Sequence, residues 1–205
     1  MHREPLLEIL RRYEAVYPDE TRWVGRVRDL VEGNADCFER GCLPGHITAS
    51  AWILSPDRGR ILLTHHRKLQ RWLQLGGHAD GDPDTLGVAL REAREESGMR
   101  RFGVICSSGG SSGARPPLPL DVDVHRIPAR GDEPEHDHHD IRYLLVAGED
   151  QRLAISEEST DLDWFEPDAL GSLGADESLL RLERKARGLA GAECCWDAPK
   201  PSPTR

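Results

Sequence analysis

The apolar positions fall into two rhythms, and the change between them divides the chain. Leu6, Leu7, Leu10, Tyr13 and Tyr17 recur every three or four residues up to Pro18. Trp23, Val24, Val27, Leu30 and Val31 repeat that rhythm until Gly33-Asn34 breaks it. Such spacing gathers apolar side chains on one side of a helix, so residues 1–43 are expected to form a helical extension packed on the main domain. From His46 the period shortens to two. Ile47, Ala49, Ala51 and Ile53 alternate with Thr48, Ser50 and Trp52, which predicts a strand. SPDRGR supplies a turn, and Ile61-Leu62-Leu63 returns as the second arm of a hairpin. A basic loop, HHRKLQRW, leads to Leu73-Gln74-Leu75 and the pair Gly76-Gly77. A helix is predicted from about Thr85 to Ser97, closed by Gly98 as a C-cap.

Further along, a short strand is predicted near 102–106, and SSGGSSGARPP has the composition of a mobile surface loop. Strand alternation resumes in Leu118, Leu120, Val122 and Val124. The acidic, histidine-rich stretch GDEPEHDHHD is expected to be a loop entering a strand over 141–147, with another strand around 162–165. A late helix carries Leu179, Leu180, Leu182 and Leu189. From Ala192 three prolines and little periodicity predict a disordered tail. Strands on both sides of a central helix, with another helix late, indicate a mixed α+β domain. The expected division is a helical extension at 1–43, a main domain at 44–190 and a tail at 191–205.

Composition narrows the function. A chain of 205 residues, 38% hydrophobic and 31% charged, suits a globular protein with a real core. Its apolar runs are too short to span a bilayer, and MHREPLLEILRRYE lacks the apolar core of a secretory signal, so a cytoplasmic location is expected. A formal charge of −9 argues against extended contact with a nucleic-acid backbone, while leaving room for a small phosphorylated ligand, and the short apolar runs leave no expectation of a membrane partner. The five cysteines form no CxxC pair and are expected to be reduced thiols.

The helix at 85–97 carries the chemistry. Glu92, Glu95 and Glu96, spaced i, i+3, i+4, share one arc, whereas Leu86, Leu90 and Ala93 lie on another side. Arg91 stands one turn before Glu95 and is expected to pair with it. An acidic helix face alone is common. The preceding glycines change its meaning, because they let the backbone approach a ligand and turn carbonyls toward a cation held by carboxylates. Hard oxygen ligands favour Mg²⁺ or Mn²⁺ over zinc.

GGHADGDPDTLGVALREAREESGM resembles the Nudix box, G-x5-E-x7-R-E-U-x-E-E-x-G-U, where U is a large aliphatic residue. Gly77, Arg91, Glu92, Glu95, Glu96, Gly98 and Met99 fall in register. Ala93 is a small U, and Pro83 replaces the first Glu. The resemblance extends from about His46 to Leu170. It implies an α/β/α sandwich with a mixed sheet and a hydrolase that cleaves a diphosphate linkage in a nucleoside diphosphate-type substrate. It further implies that Glu92, Glu95, Glu96 and the Gly76 carbonyl hold the metal, while Arg91 orients a glutamate. Family members place a later glutamate before a tryptophan-bearing strand. Here SEESTDLDWF offers Glu157 and Glu158, of which Glu158 is the choice for a further ligand or general base.

Arg67, Lys68 and Arg71 are candidates for the outer phosphates, and His78 for the cleft wall. His136, His138, Asp140 and Arg142 share one strand parity and could line the same cleft, joined by Asp123 and His125. A transition-metal site at His136, His138 and His139 is a rival reading of EHDHHD. Because Pro83 departs from the box, the alternative function is a catalytically weak nucleotide-binding or regulatory module. Isomerisation of an isoprenoid diphosphate would require a cysteine–glutamate pair that neither Cys42 nor Cys106 evidently supplies. A homodimer is compatible with the sequence.

Overall fold

The computed structural model describes residues 2–105, 116–149, 151–157, 159–189 and 191–196. Two antiparallel-paired helices open the chain, α1 (Glu4–Val16) and α2 (Thr21–Gly33), joined through a single 3₁₀ turn at Pro18–Glu20. The strands are β1 (Gly45–Leu54), β2 (Ile61–His66), β3 (Arg71–Leu73), β4 (Leu75–His78), β5 (Phe102–Ile105), β6 (Asp121–Ile127), β7 (His136–Ala147), β8 (Ser159–Phe165) and β9 (Cys194–Trp196). Helix α3 (Thr85–Ser97) follows β4, and α4 (Glu177–Gly188) follows β8.

All the strands belong to one mixed sheet of order β3-β2-β1-β7-β5-β9, with β4 paired to β1, β6 to β7 and β8 to β2. The parallel pair β1–β7 forms its spine, from Gly45↔Asp137 to Leu54↔Val146. Both faces of that spine are covered, which is why every residue of β1 is buried despite its alternating pattern. Ile47, Ala49, Ala51 and Ile53 pack with Val88, Ala89 and Ala93 of α3 and with the apolar stripes of α1 and α2. Trp52, Leu144 and Val146 face the other way, against Leu179, Leu182 and Ala186 of α4. The layers are therefore helix, mixed sheet and helix, as the sequence led us to expect. The two N-terminal helices pack on the sheet, α2 lying against β6, an edge strand whose partner is β7. They are fastened there by Arg26 on Asp137 (2.7 Å) and by Lys185 on Glu20 (2.7 Å).

Three expectations need correction. The histidine-rich stretch is half strand, because β7 begins at His136: residues 136–140 pair with β6 on one side and residues 137–140 with β1 on the other, so their backbone groups are satisfied within the sheet. The segment after Ala192 is not wholly irregular, since β9 adds three residues to the edge of β5. Leu118 and Leu120 are buried but precede β6 instead of opening it. Cys106, most of SSGGSSGARPP and residues 197–205 lie outside the described residues. Among the described cysteines, Cys37, Cys42 and Cys194 are free thiols, and burial pushes Cys37 up to about 11 and Cys42 up to about 12.

Candidate active site

The site forms where β4 runs beneath α3. Asp84 begins the helix as its N-cap, its carboxylate accepting the Gly87 N–H at 3.1 Å. Asp82 supports that turn by accepting the Asp84 N–H at 2.9 Å. Pro83 sits between them, before the first helical residue and outside the glutamate arc. At the other end Gly98 takes the left-handed conformation, with φ 71°. Helix α3 is thus fixed at both ends, and the residue that departs from the box lies in a turn organised by its neighbours.

The two glycines let the strand and helix touch. Glu96 accepts the Gly76 N–H at 2.9 Å and is nearly buried. Gly77 lies so close to Glu92 that an added Cβ would stand 2.6 Å from its carboxylate carbon. On its other side Gly76 presses on β1, where a Cβ would come within 2.7 Å of the Ser50 Cα and 2.8 Å of the Ala49 carbonyl oxygen. Arg91 donates to Glu92 (2.8 Å) and to the His78 carbonyl (2.8 Å), bracing helix against strand. The expected Arg91–Glu95 pair is replaced by this Arg91–Glu92 contact, because the strand carbonyl draws the guanidinium inward. Glu95 is left exposed, one turn beyond Glu92's neighbour Arg91 and beside Glu96. An open depression of about 300 Å³ adjoins it, lined by Asp82, Asp84, Arg91, Arg94 and Glu95. The larger cavity, about 410 Å³ between Pro167–Gly171 and α4, is remote in the fold from these carboxylates. Glu92, Glu95 and Glu96 with the adjacent carbonyls offer the all-oxygen donor set that suits a hard divalent cation.

The sheet face toward α4 carries a second polar array. Arg142 is buried and reaches three carboxylates: Asp140 at 2.9 Å, Asp123 at 2.9 Å and Asp121 at 3.3 Å. Burial works against its charge, but Asp140, Asp123 and Asp121 more than offset this and raise its pKa. Arg181 binds Asp121 (2.7 Å) and Asp123 (2.8 Å) from α4. Thr48 and Ser50 donate to Asp140, at 3.1 and 2.8 Å. Farther along the same face stand His46, His136 and His138, with the His78 and His125 rings beside His138. Burial, reinforced by neighbouring positive charge, pushes His46 down to about 4 and His138 to about 2, so both are neutral imidazoles near neutral pH.

The sequence-derived candidates therefore separate into groups. Glu92, Glu96, Arg91 and Gly76 meet at one place, with Glu95 at its rim. His78 joins them through its carbonyl and points its ring toward the histidines. Arg67 instead braces the backbone ahead of β8, donating to the Glu157 and Ser159 carbonyls at 3.0 and 2.8 Å. Arg71 pairs with Asp176 at the start of α4, and Lys68 is exposed in the β2–β3 turn. Trp72 packs edge-on against Phe165, ring centres 4.6 Å apart. Glu158 lies outside the described residues. Of the rival trio, His136 and His138 converge, whereas His139 faces the opposite side toward Arg26. His46 takes its place. Sequence reasoning missed it, although His46 shares the even parity of Thr48 and Ser50. Asp121, Arg181 and Lys185 were also missed, having no motif to mark them.

A family model described as the NUDIX domain matches residues 44–185. The fold superposes on the crystal structure of a NUDIX family hydrolase from Clostridium perfringens with a TM-score of 0.53 and 25% identity, covering 70% of this chain and 97% of that one. It also superposes on the E. coli dihydroneopterin triphosphate pyrophosphohydrolase with a TM-score of 0.51, 14% identity, and coverage of 71% and 96%; this is a likeness of fold. No curated protein matches the sequence.

Proposed function

The chain belongs to the Nudix family, as a hydrolase of the pyrophosphohydrolase type, and from that premise we propose that it cleaves a diphosphate linkage in a nucleoside diphosphate-type substrate by attack of water on phosphorus. The observation that carries this reading is the clasp of α3 on the double glycine: Glu96 on the Gly76 amide and Glu92 against Gly77. It sets two carboxylates one helical turn apart at a point where strand backbone is exposed to them. Glu92, Glu95, Glu96 and the Gly76 carbonyl would hold Mg²⁺ or Mn²⁺. When bound, such a cation offsets the negative charge of the diphosphate and lowers the pKa of a coordinated water.

The protein's own residues then have distinct tasks. Arg91 fixes the Glu92 carboxylate through a 2.8 Å contact and is a positioning residue. Glu158 is assigned the role of general base or additional ligand. Arg67, Lys68 and Arg71 are assigned to the outer phosphates, with Lys68 the freest to move, since Arg67 and Arg71 have partners to exchange. His78 is assigned to the wall of the cleft. The reading places the enzyme in the cytoplasm, in keeping with the finding that no described helix is long and apolar enough to cross a membrane.

The test is a panel of nucleoside diphosphate derivatives with Mg²⁺ and Mn²⁺, products being identified by mass spectrometry. Metal-dependent cleavage is expected for the natural protein and should be abolished in Glu96→Gln. Cleavage that proceeds unchanged in Glu96→Gln would refute the assignment.

A further inference from the structure

At the start of β1 and β7, three imidazoles come together outside the glutamate cluster. One ring nitrogen from each of His46, His136 and His138 lies within 4.8 Å of the other two. Register causes the convergence. His46 stands opposite His138 in the parallel pair, and His136 lies two residues earlier on the same face. We propose that these three residues bind a zinc-like transition-metal ion at a site separate from the oxygen-rich glutamate site.

The spacing is already suitable. His136 Nε2 and His138 Nε2 are 3.3 Å apart. Two imidazole nitrogens bound tetrahedrally to zinc at ~2.0–2.1 Å stand about 3.3 Å from each other. The His46 nitrogen lies within 4.8 Å of both, so binding would draw its ring inward by about 1.5 Å at most. The tautomer is suitable too. His136 Nδ1 lies 2.8 Å from the Pro134 carbonyl, a contact that places the proton on Nδ1 and leaves the Nε2 lone pair facing His138. Metal-bound histidines are commonly held by such a carbonyl on their second nitrogen.

His46 supplies an independent observation. It is 1% exposed, and neither ring nitrogen makes a well-aligned hydrogen bond among the described residues, although the Cys42 backbone lies close enough to favour its charged form. Buried polar atoms are nearly always satisfied, and a metal bond would satisfy one of these. Glu133 adds a carboxylate oxygen 3.8 Å from His136 Nε2, at the solvent side, where it can complete the ligand set or balance the charge. Nitrogen donors discriminate against Mg²⁺, so the two sites would sort their metals by donor chemistry. They are also apart in space. His46 is four residues along β1 from Ser50, the partner of Gly76, or about 13 Å at strand rise.

The experiment uses the full chain, stripped with a chelator and titrated with Zn²⁺ in excess Mg²⁺, which occupies the oxygen ligands. One equivalent of zinc should bind, with affinity at least tenfold lower in His136→Ala and His138→Ala. Co²⁺ should give a tetrahedral visible spectrum in the natural protein and in the variant combining Glu92→Gln, Glu95→Gln and Glu96→Gln. If circular dichroism shows that a histidine variant is unfolded, the Co²⁺ spectrum of the natural protein decides. Absence of zinc binding, a six-coordinate cobalt spectrum, or binding lost with the glutamates but kept without the histidines would each overturn the proposal. Zinc is read directly, so failure of the diphosphate assignment would leave this result intact.

Discussion

Replacing Gly77 with alanine should separate catalysis from folding. The new methyl carbon would stand 2.6 Å from both Cδ and Oε2 of Glu92 and 2.9 Å from its Oε1. Ordinary contact begins about 0.8–1 Å farther out, given optimal separations of roughly 3.5 Å between heavy atoms. The strand backbone is pinned to β1 by the Gly77↔Ala49 pairing, so the Glu92 carboxylate is the group that moves. A displacement of about 1 Å in a catalytic group costs on the order of 10²-fold in rate. Folding should barely respond, because the clash is with the far end of a flexible side chain and Gly77 is outside the left-handed region. Metal-dependent kcat and thermal melting, measured on the same preparation, test this, with Mn²⁺ affinity by electron paramagnetic resonance as a direct view of the ligand. A kcat within threefold of the natural protein, with unchanged Mn²⁺ affinity, would show that the Glu92 position is irrelevant to the metal. Gly76→Ala is the contrast: its methyl meets Ser50 and Ala49 backbone, so melting temperature should fall as well.

Three further outcomes are expected. Asp84→Ala removes the α3 N-cap and should cost about 1 kcal/mol, seen as a melting temperature lower by roughly 2–4 °C. Arg142→Met leaves Asp140, Asp121 and Asp123 facing one another in a buried setting; a loss of roughly 3–5 kcal/mol in urea unfolding is expected, and a loss under ~1 kcal/mol would contradict the ledger of charges. Burial alone would raise the pKa of Asp123, but the His125 contact and the Arg142 and Arg181 charges hold it well below the usual carboxylate range. Its stabilising contribution is therefore complete above about pH 4 and lost as pH falls through the depressed value, so urea midpoints for Asp123→Asn should decline less steeply below pH ~4 than those of the natural protein.

The parts of the molecule that announce themselves in sequence are those governed by short-range periodicity. Leu6, Leu10 and Tyr13, or Val88 and Ala93 with Glu92 and Glu96, reveal a helix and its faces because three or four residues suffice to define them. Gly76 and Gly77 could be joined to the glutamates from residue chemistry, but their register with Glu92 and Glu96 came only through a resemblance, since nothing in GGHADG says which helix will lie above it. The start of β7 was illegible for a different reason. HDHHD has the polarity of a loop, and it becomes strand because β1 and β6 pair with it from positions about 90 residues and 9 or more residues away. His46 was lost with it: a histidine at the mouth of an apolar strand acquires meaning only once His138 stands opposite. The Arg91 contact turned on an acceptor, the His78 carbonyl, that helix spacing does not register.

Strand β7 commits its two faces to different work, with Ile141, Tyr143 and Leu145 in the core and His136, His138, Asp140 and Arg142 on the polar side. A side-chain period of two makes the length of this strand a conserved quantity for any descendant of the sequence. Losing or gaining one residue between His136 and Arg142 would invert the faces on one side of the change, sending either the histidines or Arg142 and its neighbours into the apolar layer, while two residues at a time would preserve the faces and merely shift the ladder along. Length variation should therefore enter through the turn between Ile127 and His136, and in the strand itself it should come in pairs.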